Sequence, residues 1–548
     1  MESRRIIWTL AAGLLLAGLV FGALGGALAC GFVRFDDHGY VYENPMVLGG
    51  LTPAGIRWAC TTIHERWWLP LLWISYMADA EVFGLEPMGY HLTNLLLHTA
   101  NVWLLAWVLF RLTGSRWRSL AVAALWAVHP LRVESVVWIT ERKDVLSGLF
   151  FFLALLAYVR HAERPGRGRL GLVFAALLLG LLSKASVIVL PALLLLLDFW
   201  PLRRAGIPWA PGEGKAWRRL VAEKASLFVL AGIFVVINLH THRGGHGAGV
   251  DYSWAHRLAL MPGDVWTYLR LVVWPAGLCI YYPENDAVRL LPALGALAGL
   301  AALTGALVWQ GRRRPHLLVG WLWFLIALLP IVRGIRLGNA AYADRFTYLP
   351  AIGLGVLVVW GAAESARAAE RRGARRMLGA LAAALVIALA LRARQQTRVW
   401  RNSQTLFRHA VAVTKDNAVM HYNLANVLVL EGQPAEAGRH YRETLRILPD
   451  YAPAQNNLAW VLASNPGATP AEAREALELA RRLVANAGTT NAAWLNTLER
   501  AQAACGEHAA AAETARAALA LATGPEAAAR REKIQWRIRY YEEQATRP

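Results

Sequence analysis

At 548 residues the chain exceeds one ordinary domain, so at least two units are expected. Hydrophobic residues make up 56% and charged ones only 17%, against about 25% charged in soluble proteins, which excludes a wholly soluble fold. The formal charge of +20 does not make the chain a nucleic-acid binder, because its basic residues do not gather on one face. They fall in bursts between apolar runs: MESRR, RLTGSRWR, RHAERPGRGR, PLRR through KAWRR, Arg312–Arg314 and ERRGARR. Cytoplasmic loops of membrane proteins carry this positive-inside pattern.

Apolar stretches of spanning or near-spanning length then follow in chain order: Ile6–Ala29, Leu92–Phe110, Leu120–Val137, Val145–Val159, Leu170–Leu182, Val187–Phe199, Leu227–Leu239, Leu290–Trp309, Leu317–Ile331, Tyr348–Trp360 and Leu378–Leu391. The first is too long for a signal-peptide core and is read as a retained helix. A cytoplasmic N-terminus with alternating sides puts every basic burst inside, and about eleven spans then send the C-terminal region outside. The stretch Leu170–Phe199 is one long helix or two short ones broken at Ser183–Ser186; an even number of crossings favours a hairpin with Lys184 at the outer surface. Val265–Tyr282, with Arg270 and Pro275, is read as interfacial or re-entrant, within an outer loop His240–Arg289. Cys30 and Cys60 flank one outer loop, where a disulfide is conceivable but unpaired thiols are the preferred reading; no metal-ligand spacing occurs.

Beyond Trp400 the period changes. Leu424-Ala425, Gly432, Ala437, Tyr441 and Pro449 match a tetratricopeptide repeat, and Leu458-Ala459 recurs 34 residues after Leu424-Ala425. Leu498, Gly506 and Ala511 continue the phase. The expected architecture is all-α, with a multi-spanning membrane domain at residues 1–397 and an extracytoplasmic α-solenoid of about three repeats at 398–548.

Four ionisable clusters emerge on the same outer side in this topology. The loop FVRFDDHGYVYENP carries Asp36 and Asp37, either a solvated acidic pair or a general base or ligand. HPLRVESVVWITERKDVL carries His129, Arg132, Glu134, Glu141, Arg142, Lys143 and Asp144, costly at a bilayer boundary and read as functional, with structural ion pairing as the alternative. Lys184 is the third, and YADRFTYLP, with Asp344, Arg345 and Tyr348, the fourth. Carboxylates and fixed cations at one membrane face suit a hydroxyl nucleophile and a lipid-linked phosphate, whose developing charge the cations would stabilise.

With GYHLTNLLLH, LLLLLDFWPLRR and the terminal repeats, these motifs resemble the transmembrane and tetratricopeptide-repeat-containing family, most closely its bacterial branch. The resemblance implies a GT-C glycosyltransferase fold related to protein O-mannosyltransferases. It further implies a polyprenyl-phosphate sugar donor and transfer to a hydroxyl acceptor, such as protein Ser/Thr, at the extracytoplasmic face of a bacterial inner membrane. Carried over by position, the family's acidic pair falls on Asp36 and Asp37, with Asp37 slightly favoured as base; its basic-acidic element falls on Arg142 and Asp144, and its Arg before Tyr-Leu-Pro on Arg345. Arg142, Lys184 and Arg345 are then expected to hold the lipid phosphate, and the repeats to present polypeptide acceptors. No cofactor is identified, and a divalent metal is compatible with the carboxylates but not required by them. The rival reading is a non-catalytic membrane anchor for a repeat scaffold. A transporter would show midplane charges or inverted repeats, and neither is found.

Overall fold

The computed structural model describes residues 2–208, 210–241, 253–283, 289–332, 342–368, 372–487, 491–523 and 527–547. Residues 242–252 and 284–288 of the expected outer loop His240–Arg289 therefore lie outside the described residues. The chain divides into two compact units, Met1–Leu406 and Phe407–Pro548, a few residues beyond the expected boundary at 397. Both are helical, and no strand occurs among the described residues apart from one isolated bridge between His64 and Trp67.

In the first unit the principal helices are α1 (Glu2–Leu24), α2 (Pro70–Phe83), α3 (Pro87–Thr113), α4 (Arg116–Ala127), α5 (Arg132–Val137), α6 (Arg142–Glu163), α7 (Arg167–Leu181), α8 (Leu190–Phe199), α9 (Ala225–Thr241), α10 (Trp254–Val273), α11 (Leu290–Gly311), α12 (Pro315–Leu328), α13 (Pro350–Ala368) and α14 (Arg372–Val399). Proline opens α2, α3 and α12 at a position where the missing N–H has no intrahelical partner to lose. Gly114 closes α3 in the left-handed conformation, φ 67°, which costs a residue without Cβ nothing.

Among the described residues five helical segments are long and apolar enough to cross a bilayer, Ile7–Ala29, Pro87–Thr113, Ile139–Glu163, Leu290–Gly311 and Arg376–Val399, and the bent pair Gly214–Glu223 and Ala225–Thr241 would make a sixth if it is one span. Leu290–Gly311 and Arg376–Val399 bury almost none of their apolar surface inside the protein, a state that needs lipid around them. The protein is a membrane protein.

Three places differ in detail from simple spans. The run Leu120–Val137 is not one helix: α4 stops at Ala127, and Pro130 has no N–H to continue it. His129 secures the break, its Nε2–H donating to the Val272 carbonyl at 2.9 Å while Nδ1 accepts the Leu131 N–H at 3.3 Å. The short α5 follows, buried throughout. Leu170–Phe199 is broken where the sequence left the choice open: α7 ends at Leu181, Lys184 is extended, and a tight turn at Ala185–Val189 leads into α8. The ambiguous Val265–Tyr282 run is helical only to Val273, as the second half of α10.

Helix α3 packs against α4 and α6, α6 against α7, and α12 against α13. The last pair meets backbone to backbone. A Cβ on Gly320 would fall 2.5 Å from the Gly353 carbonyl oxygen, and one on Gly353 would collide with Gly320 in return.

The second unit is a succession of helix pairs: Ala418–Leu430 with Pro434–Ile447, Ala452–Ala463 with Pro470–Ala487, and Ala492–Ala504 with His508–Ala520, closed by Ala527–Ala545. Gly432 and Gly506 turn two of the pairs at φ 73° and 79°. Leu424, Ala425, Ala437, Tyr441, Leu458 and Ala459 are all buried between helices.

Candidate functional site: a charged cavity at the N-terminal end of α6

After α1 the chain runs extended and then winds through a wide helical turn at His38–Tyr42. That turn sends the two adjacent aspartates in different directions. Asp37, 1% exposed, accepts hydrogen bonds from the Val33 N–H (2.8 Å), the Thr140 N–H (3.1 Å) and the Thr140 hydroxyl (2.5 Å). It ties this loop to the turn that precedes α6. Asp36 is half-buried and faces a cavity, and among the described residues its carboxylate has neither a hydrogen-bond donor nor an ion-pair partner. Burial raises the Asp37 carboxyl to about 6, against its three donors. Burial also raises the Asp36 carboxyl; Lys143 opposes the shift and Glu65 reinforces it.

Across the cavity, three cations from three segments converge on one carboxylate. Glu141, 1% exposed, lies 3.1 Å from Lys143 Nζ, 3.0 Å from Lys184 Nζ and 3.1 Å from Arg345 Nε. Lys184 also reaches Asp144 Oδ1 at 2.6 Å, and the Ser135 hydroxyl donates to Asp144 Oδ2 at 3.0 Å. The Arg345 guanidinium pairs with Glu134, and the Arg345 N–H donates to the other oxygen of that carboxylate at 2.7 Å. Lys143 gives only one of its three donors to a carboxylate, so N–H capacity remains for a ligand.

Asp36, Glu141, Lys143, Asp144, Lys184, Arg345 and Tyr348 all line a single cavity of about 530 Å³. Its remaining wall is of two kinds. Phe35, Tyr40, Trp67, Trp138, Tyr281 and Phe346 supply aromatic faces, while Ala327, Pro330, Ile331, Leu349 and Pro350 form an apolar strip at the ends of α12 and α13. A pocket of this size with a few convergent polar groups matches ordinary small-molecule sites of about 300–1,000 Å³.

Other residues expected at the site lie behind its wall. Arg142, expected at a phosphate, is wholly buried and engaged elsewhere: it pairs with Asp79, and donates to Asn94 Oδ1 (2.8 Å), the Tyr90 carbonyl (3.0 Å) and the Ser75 carbonyl (3.1 Å). One helical step of about 100° separates it from Lys143, which faces the cavity. Arg132 donates to the Thr347 hydroxyl and stacks over Tyr348 at 5.4 Å; Asp344 accepts from the Tyr282 hydroxyl at 2.7 Å. His129 and Glu134 act through the α4 break and through Arg345. Tyr348 touches the cavity while its hydroxyl, receiving the Asn101 amide at 2.9 Å, donates to His98 Nδ1 at 2.9 Å.

The sequence reading missed Glu65, Arg66 and Trp67, which come from a four-residue turn between α1 and α2 and also line the cavity. The HERWW run that holds them was the only available signal. All four cysteines are free, Cys30 and Cys60 included, and among the described residues no group of three His, Cys, Asp or Glu is placed to hold a metal ion.

Fold and site together define a helical membrane protein with a cavity that has a carboxylate side and a cationic side. No family model matches the chain, and no solved structure matches it. Curated proteins do. The chain is 25% identical over 509 residues to human protein O-mannosyl-transferase TMTC1, covering 82% of this chain and 56% of that protein. It is 27% identical over 495 residues to mouse protein O-mannosyl-transferase TMTC4 (78% and 66%) and 22% identical over 488 residues to human protein O-mannosyl-transferase TMTC3 (81% and 52%). It spans about half to two thirds of the length of these relatives. The chain is thus similar to protein O-mannosyl-transferases of the TMTC kind over about four fifths of its length.

Proposed function

We propose that the protein is a glycosyltransferase of the O-mannosyltransferase kind, moving a sugar from a polyprenyl-phosphate carrier to a hydroxyl acceptor such as protein Ser or Thr. The observation that carries this reading is the split cavity: an unengaged carboxylate, Asp36, on one side and three cations gathered on Glu141 on the other. Asp36 takes the acceptor proton as the hydroxyl oxygen attacks the anomeric carbon. The anomeric bond to the phosphate oxygen breaks, and its electron pair leaves with the phosphate, where Lys143, Lys184 and Arg345 stabilise it. Attack from the side opposite the phosphate inverts the anomeric centre. The aromatic faces suit a sugar ring, and the apolar strip at Ala327, Pro330, Ile331 and Leu349 suits the first isoprene units. Asp37 holds the loop that aims Asp36, and Arg142 braces α6 against α2 and α3.

The surrounding architecture belongs to the same proposal. About eleven spans in a GT-C-like arrangement would place the cavity at the extracytoplasmic face of a bacterial inner membrane, with the N-terminus inside and the second unit, a tetratricopeptide solenoid, outside to present polypeptide acceptors. A mere anchor for a repeat scaffold has no use for a cavity of this chemistry. The test is transfer from a polyprenyl-phosphate sugar to a Ser/Thr peptide by the full-length protein in liposomes. Asp36→Asn is expected to abolish it with membrane insertion intact; transfer undiminished in that variant would remove the proposed base.

A further inference from the structure

The cavity holds a further carboxylate, Glu65, that the reaction above does not use. Glu65 and Arg66 occupy the centre of a tight turn closed by two backbone hydrogen bonds, His64 N–H to Trp67 carbonyl (3.0 Å) and Trp67 N–H to His64 carbonyl (2.8 Å). Both central residues have positive φ, 47° and 70°, a pairing normally left to Asn and Gly. Two successive side-chain-bearing residues in that region are strained, and such backbone persists where its surroundings over-determine it. Here they do: the His64 ring is packed edge-on against Trp73 at 5.2 Å and against Tyr40 and Trp58 at 5.9 and 6.0 Å.

What the strained turn achieves is placement. The Glu65 carboxylate is brought against the helical turn that carries Asp36, its Oε1 lying 3.1 Å from where a side chain at Gly39 would begin. Any larger residue at position 39 would contest that space. Glu65 itself is solvent-exposed, unlike Asp36, and no described residue forms an ion pair with it. The reaction needs such a group: each turnover takes one proton from the acceptor hydroxyl, and a half-buried carboxylate has to shed it before the next.

We propose that Glu65 is the outlet for that proton, receiving it from Asp36 and handing it to bulk water, and that its negative charge keeps Asp36 basic. In the first step the acceptor O–H bond breaks and Asp36 becomes a neutral acid. In the second its O–H bond breaks, the proton bonds to the Glu65 carboxylate, and water then removes it. Glu65 acts through Asp36 and is a positioning residue. The inference rests on the glycosyl-transfer reading. Other charged groups around Asp36 are Lys143, Glu141 and Arg345; burial and Glu65 raise its carboxyl while Lys143 and Arg345 lower it.

The experiment is a pH–rate profile of the full-length protein in liposomes, with a polyprenyl-phosphate sugar and a Ser/Thr peptide, for the natural chain, Glu65→Gln, Glu65→Asp and Asp36→Asn. Glu65→Gln is expected to lower the plateau rate about tenfold, below the effect of losing the base itself, and to move the acid limb to lower pH. Glu65→Asp should recover much of both, which a merely structural role would not predict. A natural profile in Glu65→Gln alongside an inactive Asp36→Asn overturns the outlet and leaves the transfer reading standing. An active Asp36→Asn, or a natural chain inactive with this donor and peptide, overturns both.

Discussion

Helix α6 carries a buried charge network at each end, and the two differ in one respect. At its N-terminal end Glu141, Asp144, Lys143, Lys184 and Arg345 line a cavity. About 21 Å away, fourteen residues along at 1.5 Å each, Tyr158 enters a closed network. Its hydroxyl donates to Asp198 Oδ1 at 2.6 Å; Lys224, wholly buried, meets Asp198 Oδ2 at 2.6 Å; and Arg204 reaches Asp198 at 3.0 Å and Glu223 at 2.7 Å. The motif LLLLLDFWPLRR, part of the family resemblance, supplies Asp198 and Arg204 to this second network. Density of buried charge is therefore no guide to chemistry here. What separates the networks is whether hydrogen-bonding capacity is left facing a space.

The sharpest way to test that distinction is within the aspartate pair. Asp36→Asn is expected to cost about 10²–10⁴-fold in transfer rate with little change in thermal stability. Asp37→Asn should do the reverse, losing about 1–3 kcal/mol of stability because the donors of Val33 and Thr140 lose their charged acceptor. If Asp37→Asn were the more damaging to transfer in protein of unaltered stability, the roles would have to be exchanged.

The same contrast extends to lysines. Lys224→Met leaves Asp198 buried beside only Arg204 and Tyr158, and should destabilise by about 3–5 kcal/mol while the folded fraction keeps its donor KM. Lys184→Met should raise the donor KM, because a cation facing the cavity is lost. Thermal unfolding in detergent and donor titrations separate the two outcomes.

Acidification is a milder probe. Asp36 must be ionised to act, and its carboxyl lies above the ordinary aspartate value of about 3.9, so transfer should fall at a correspondingly higher pH. Asp37 has the opposite thermodynamic sign: its carboxyl is raised to about 6, so its contribution to stability is complete below about 3.9 and lost as pH rises through 6. On acidification activity should therefore decline while Asp37 comes to favour the folded state; melting curves of Asp37→Asn against the natural chain isolate that contribution. The smallest effect is expected in the second unit, where Arg442 and Glu475 form an exposed pair at 2.7 Å and Arg442→Ala should change stability by less than about 1 kcal/mol.

Much of this arrangement was legible before any coordinates. Apolar run lengths located many of the helices, though not α2 or the break inside Leu120–Val137, and the clustering of ionisable groups pointed to Lys184, Lys143 and Arg345, which do meet. Direction was not legible. Asp36 and Asp37 are the same residue side by side, and only the wide turn at His38–Tyr42 decides which is tied down. Arg142 and Lys143 are a like pair at the start of a helix, one turned toward α2 and α3 and the other into the cavity. Pro130 was visible, but the burial of α5 that follows depends on tertiary packing. Glu65 was missed because its place beside Asp36 comes from two positive φ angles at residues that ordinarily avoid them.

The contact between Gly320 and Gly353 sets a mechanical limit on the cavity. Those glycines let α12 and α13 approach as closely as two backbones can, and the ends of the same helices carry the apolar strip. The separation of the two halves of that strip is thus fixed by a contact about one to two helical turns away. A single methyl group there, as in Gly320→Ala, would wedge the helices apart and change which chain cross-section fits between them, with every charged residue of the cavity still in place.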